Sequence, residues 1–155
     1  MASIIKVDQI QLSDGSMPTA GDLGISGSVV QKVQQGSNTQ LQTTADAWVS
    51  TGLSATITPS STSNKILIDF SGSIYNLISD KHTAISVFNG STNLGHVNWG
   101  FSDTYGTIIS SGAFSYLYSP NTTSPVTLTI YIKSSNGFFC VNNSYSELKL
   151  IEISA

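Results

Sequence analysis

The stretch PVTLTIYIK (125–133) alternates without a break: Val126, Leu128, Ile130 and Ile132 fall on one side of an extended chain, Thr127, Thr129, Tyr131 and Lys133 on the other. A period of two is the signature of a strand with one face buried and one solvated. Burying the four aliphatics contributes on the order of 6–12 kcal/mol before chain entropy, at about 1.5–3 kcal/mol each. The period recurs in LSATITP, with Leu53, Ala55 and Ile57 on one face, and in NKILIDFSGSIY, where Ile66, Ile68, Phe70 and Ile74 oppose Asp69, Ser71 and Ser73. Between these two runs PSSTSN is a turn by composition, Pro59 ending one strand and Asn64 opening the next.

Further strands are predicted over 27–34, 82–88, 93–99, 107–118, 137–142 and 147–154. Asn89-Gly90 marks a hairpin because both residues tolerate positive φ. No window carries a helical stripe, and only TTADAW (43–48) suggests a single helical turn. Eight or more short strands with polar turns in 155 residues predict an all-β fold, an antiparallel two-sheet jelly-roll sandwich, over 27–155, preceded by an extended N-terminal arm, 1–26. A chain this long buries roughly 70% of its unfolded surface. It needs no cross-links, and the single Cys140, set among Phe138, Phe139 and Val141, reads as a buried structural thiol.

The last strand, ELKLIEI, departs from simple alternation. Leu148 and Leu150 lie on one face, Ile151 and Ile153 on the other, and Glu152 shares the face of Leu150, where a carboxylate must be paired or at the rim. Tyr116 and Tyr118 beside Leu117, and Tyr131, pose the same two-faced problem. Tyr116, Tyr118, Tyr131, Ile151 and Ile153 are therefore the expected oligomer interface, since spare apolar faces and tyrosines gather at subunit contacts.

Composition narrows the function classes. Charged residues make up 10% of the chain, the net charge is −3, and the six cations are isolated lysines with no arginine among them. Nucleic-acid binding needs clustered cations, so no nucleic-acid partner is expected. No apolar run approaches the ~20 residues of a membrane span, and residues 1–20 lack a signal-peptide pattern, so neither a membrane nor a secretory route is expected. Catalysis finds little to work with: there are two histidines, His82 and His96, and no G-x-S-x-G elbow. Asp80 and His82 lack a third metal ligand at matching spacing, and the glycines at 21, 24 and 27 do not sit at a strand-to-helix junction. No enzymatic activity, metal or cofactor is expected. One surface cluster stands out, HVNWGFSDTYG (96–106), whose Trp99, Phe101, Asp103 and Tyr105 between glycines form a candidate partner or glycan loop.

The order of IIKVDQIQLSDG, then AWVSTGLSATITPSSTSNKILIDFSG, then TLTIYIKSSNG and SELKLIEI resembles short structural proteins of tailed bacteriophages: head fibres, decoration proteins and tail-fibre tips. The block TGLSATITPSSTSNKILI (51–68) carries most of the likeness. The resemblance implies a trimeric knob similar to the tumour-necrosis-factor and complement jelly rolls, attached to the virion by a short leading segment. It implies a non-enzymatic capsid decoration or head-fibre protein, made in the host cytoplasm without a signal peptide and placed on the virion surface. The alternative is a tail-fibre tip that recognises a host surface glycan. Unlike fibre relatives, this chain has no shaft, which favours a seat close against the major capsid protein or another virion protein. On this reading the arm residues Ile4, Ile5, Val7, Ile10, Leu12, Leu23 and Ile25, more apolar than a free terminus tolerates, dock onto that partner.

Overall fold

A computed structural model describes residues 26–155 and Gly15; the docking residues expected between Ile4 and Ile25 lie outside the described residues. The strands are β1 (Val29–Ser37), β2 (Leu41–Thr43), β3 (Trp48–Ile57), β4 (Lys65–Asn76), β5 (His82–Asn89), β6 (Thr92–Asn93), β7 (Ser102–Tyr105), β8 (Ile109–Tyr118), β9 (Val126–Ser134), β10 (Gly137–Phe139) and β11 (Ser146–Ile153). The one helical element among the described residues is a 3₁₀ turn, Val141–Asn143.

The strands form two antiparallel sheets. In the first, β4 is central: β8 pairs along one of its edges, while β11 and then β10 share the other, β1 lying beyond β11 and β2 beyond β10. The second runs β3-β9-β5, with β7 and the short β6 dividing the far edge of β5. The eight principal strands thus lie in the orders β1-β11-β4-β8 and β3-β9-β5-β7, and the chain changes sheet at almost every step. That is jelly-roll connectivity.

Alternation positions the core. Ile66, Ile68, Phe70 and Ile74 of β4, Leu128, Ile130 and Ile132 of β9, and Leu148 and Leu150 of β11 are all fully buried between the sheets, as are Ile85 and Val87 of β5. Phe70 links two neighbours, its ring centroid 5.4 Å from Phe114 and 6.3 Å from Phe139. Cys140 is buried, its Sγ donating to Ser146 Oγ at 3.2 Å, and burial pushes its thiol pKa up.

Three local expectations are corrected. Residues 44–47 make a bend rather than a helical turn, because the Thr43 hydroxyl accepts the Ala45 N–H at 3.2 Å and competes with helical bonding. The strand expected over 93–99 stops at Asn93, whose side-chain oxygen accepts the Gly95 N–H at 3.0 Å and turns the chain. The strand expected over 137–142 ends at Phe139, since Cys140, Asn142 and Asn143 all take positive φ. In the hairpin between β5 and β6, Gly90 alone of the Asn-Gly pair has positive φ, at 57°.

Glu152 is the one fully buried carboxylate among the described residues. It accepts from Asn64 Nδ2 at 2.6 Å, Gln31 Nε2 at 2.5 Å, and the Ser60 N–H and hydroxyl at 2.7 and 2.8 Å. It therefore ties β11 to β1 and to the turn between β3 and β4. Burial opposes its charge, but these hydrogen bonds outweigh burial and hold its pKa below the ordinary value. A depressed carboxylate contributes its full stability above the unfolded-state pKa, ~4.3 for Glu, and loses it as pH falls through the lower folded-state value. Glu152→Ala strands the Asn64 and Ser60 donors and is expected to cost about 1–3 kcal/mol at pH 7. It should also flatten the acid limb of the stability profile; urea unfolding at pH 7 and pH 3 measures both effects.

Candidate functional surfaces

The outer side of each sheet carries a candidate surface. On the first sheet, side chains that alternate away from the core bring Leu117 of β8, Leu67 of β4 and Ile151 of β11 into one row, in register across three adjacent strands. Ile153 pairs with Lys65 one row on, and with Val29 of β1 on its other side. Val29 is 62% exposed, Leu117 48% and Val30 42%, while Leu67, Ile151 and Ile153 are half-buried. The row gives way to polar neighbours: Lys149 Nζ lies 2.6 Å from Glu147 and 3.9 Å from Asp69, and Ser115 donates to Asp69 at 2.8 Å. The Glu147 carboxylate raises the Lys149 pKa.

Of the residues expected at an oligomer contact, Ile151 and Ile153 lie on this outer face. Tyr116 and Tyr118 turn inward against the core, with Tyr118 Oη accepting from Asn89 Nδ2 at 2.9 Å; Leu117 is the outward residue of that strand. Tyr131 sits on the outer side of the other sheet, half-buried and stacked on Phe88 with centroids 4.1 Å apart.

The second surface is a concavity of about 320 Å³ on the outer side of the second sheet, lined by Asp46, Asp80, Lys81, His82, Trp99 and Lys133 together with Ala84, Asn98 and Ser135. His82 opens β5 and points outward. Its ring lies between Trp99, at a centroid distance of 4.2 Å, and Tyr105, at 4.8 Å. Its Nδ1 is 2.6 Å from Asp103 Oδ2. The Tyr105 hydroxyl donates to Asp80 Oδ1 at 2.9 Å, and this bond to a carboxylate raises the phenol pKa. On the opposite wall Asp46 lies 3.9 Å from Lys133 Nζ.

The segment carrying Trp99 is pinned over β5. His96 and Gly100 exchange backbone hydrogen bonds of 3.1 and 2.8 Å, the Phe101 N–H donates to Ile85 O at 2.9 Å, and Trp48 Nε1 donates to Val97 O at 2.8 Å. His96 is structural, its Nδ1 accepting the Asn98 and Trp99 N–H groups at 3.2 and 3.3 Å. Of the four residues expected in a recognition loop, Trp99 and Tyr105 are exposed and flank His82, and Asp103 orients His82. Phe101 instead packs inward, stacked on Phe114 at 4.7 Å. Residues 102–105 are strand rather than loop. Sequence reading missed Asp46 and Lys133, which no local pattern connects to Trp99.

The His82–Asp103 pair resembles the base and orienting acid of a hydrolytic relay. Among the described residues, however, no hydroxyl is hydrogen-bonded to the other ring nitrogen, as a nucleophilic relay requires. Among the same residues no group of three or more His, Cys, Asp or Glu side chains is placed to hold a metal. Neither a scan against protein-family models nor a search of curated proteins finds a match to the sequence.

Gly100 is the hinge pin of the Trp99 segment: its φ is +58°, and a Cβ there would lie 2.2 Å from Ile85 O. Gly100→Ala is expected to cost about 1–3 kcal/mol from the strained backbone alone. It should lift Trp99 off His82, read as a shift of tryptophan emission in a Trp48→Phe background.

Proposed function

We propose that this chain is a non-enzymatic structural protein of a virion surface, a self-associating jelly-roll block that decorates the capsid and is fastened through its leading segment. The resemblance of residues 51–68 and the two end segments to phage head-fibre and decoration proteins supports the virion setting. The observation that carries self-association is the in-register apolar row Leu117–Leu67–Ile151, continued by Ile153 and Val29, on the outer face of the first sheet.

The occupant of that row is another copy of the same chain. Lys32, Lys65 and Lys149 stand around it with Asp69 and Glu147, both signs on one face, so a symmetric contact lets each copy meet charges opposite to its own. A net charge of only −3 offers little repulsion to assembly. Closed threefold symmetry buries the row in every subunit and leaves the second sheet facing outward. The leading segment, with Ile4, Ile5, Val7, Ile10, Leu12, Leu23 and Ile25, then docks onto the major capsid protein or a neighbouring shell protein.

Light scattering tests the assembly. The expected mass is three times the 16.4 kDa of one chain, and the double variant Leu117→Lys/Ile151→Lys should run as a folded monomer. A wild-type monomer at micromolar concentration defeats the reading. Removing residues 1–24 should leave the fold and its assembly intact while abolishing incorporation into particles, measured by gel analysis of purified virions.

A further inference from the structure

We propose that the concavity between His82, Trp99 and Lys133 is a saccharide-binding site that takes a neutral mono- or disaccharide unit. This goes beyond the structural role and does not depend on it. At about 320 Å³ the concavity lies at the small end of ligand sites, which span about 300–1,000 Å³. Its chemistry is divided in the way a sugar is divided. Trp99, 45% exposed, offers an aromatic face to the C–H side of a pyranose ring. Asp46, Asn98, Lys133 and Ser135 offer acceptors and donors to the hydroxyls.

Other ligand classes fit less well. Carboxylates at Asp46, Asp80 and Asp103 repel nucleic-acid phosphates, and the lining is too polar for an apolar peptide. Two lysines in the lining, Lys81 and Lys133, face two carboxylates, Asp46 and Asp80, so the concavity has no excess positive charge to select an acidic sugar.

The site is also held in shape before any ligand arrives. Trp99 rests on His82, His82 is held by Asp103, and the Trp99 segment is clamped to Ile85 through Phe101 and Gly100. Tyr105, on the other side of His82, is fixed by Asp80. Rigid aromatic surface lowers the ordering cost of binding, which matters most for a small, weakly held ligand.

The test uses the full chain on an array of glucose-, galactose-, mannose-, N-acetylhexosamine- and acidic-sugar-terminated glycans, followed by calorimetric titration of the retained sugar. The expected result is selective retention of one neutral class, with saturable binding. Trp99→Ala should weaken binding by at least ~10-fold, the loss of about 1.4 kcal/mol of contact, and Lys133→Ala should shift the preference among epimers, both with unchanged melting temperature. Absence of retained neutral glycans, or binding that survives Trp99→Ala, overturns the proposal. Retention of acidic glycans alone overturns it as well.

Discussion

Burial of the alternating aliphatic rows of β4, β9 and β11 between two sheets is the interaction on which everything else in this molecule rests. β4 bears the most, since it is the longest strand and is hydrogen-bonded along one edge to β8 and along the other to β11 and β10. With its inward side chains fully buried, its register fixes β8, β11 and β10 together. A slip of one residue would bring Leu67, Asp69 and Ser71 inside, an outcome excluded by the cost of burying an unpaired carboxylate. The two candidate surfaces inherit their order from this constraint, because what points out is decided by what must point in.

Both surfaces follow from that division. On the first sheet the outward positions carry an apolar row where β8, β4 and β11 meet, and only pairing reveals it, since Leu67, Leu117 and Ile151 lie far apart in the chain. On the second sheet, β5 supplies Ile85 and Val87 to the core and turns His82, Ala84, Ser86 and Phe88 outward, where the segment after β6 folds across them. With the two surfaces on opposite sheets, the proposed assembly on one side would leave the proposed saccharide site on the other unobstructed.

Glu152 shows how the fold accommodates a residue that breaks its own pattern. A carboxylate in phase with Leu148 and Leu150 demands partners, and the turn between β3 and β4 supplies them through Ser60 and Asn64, with Gln31 added from β1. The same polar network closes one end of the sandwich. It makes the corner specific at the expense of acid tolerance, because the anchoring group is stabilising only while ionised.

The identity of the long strands, the inward rows of β3, β4 and β9, the exceptional position of Glu152 and the separation of Ile151 and Ile153 from the face of Leu148 and Leu150 were legible from residue order, because a period of two is a local property that no partner is needed to read; the short β2 and β7 were not. The limits of β6 and β10 were not, since side-chain turns at Asn93 and left-handed residues at Cys140, Asn142 and Asn143 compete with pairing on nearly equal terms. Which sheet each strand joins, that Tyr116, Tyr118 and Phe101 face the interior, and that Asp46 and Lys133 converge on Trp99 were decided only in three dimensions. Those facts depend on contacts between distant segments, and alternation along one strand carries no information about which neighbour will lie beside it.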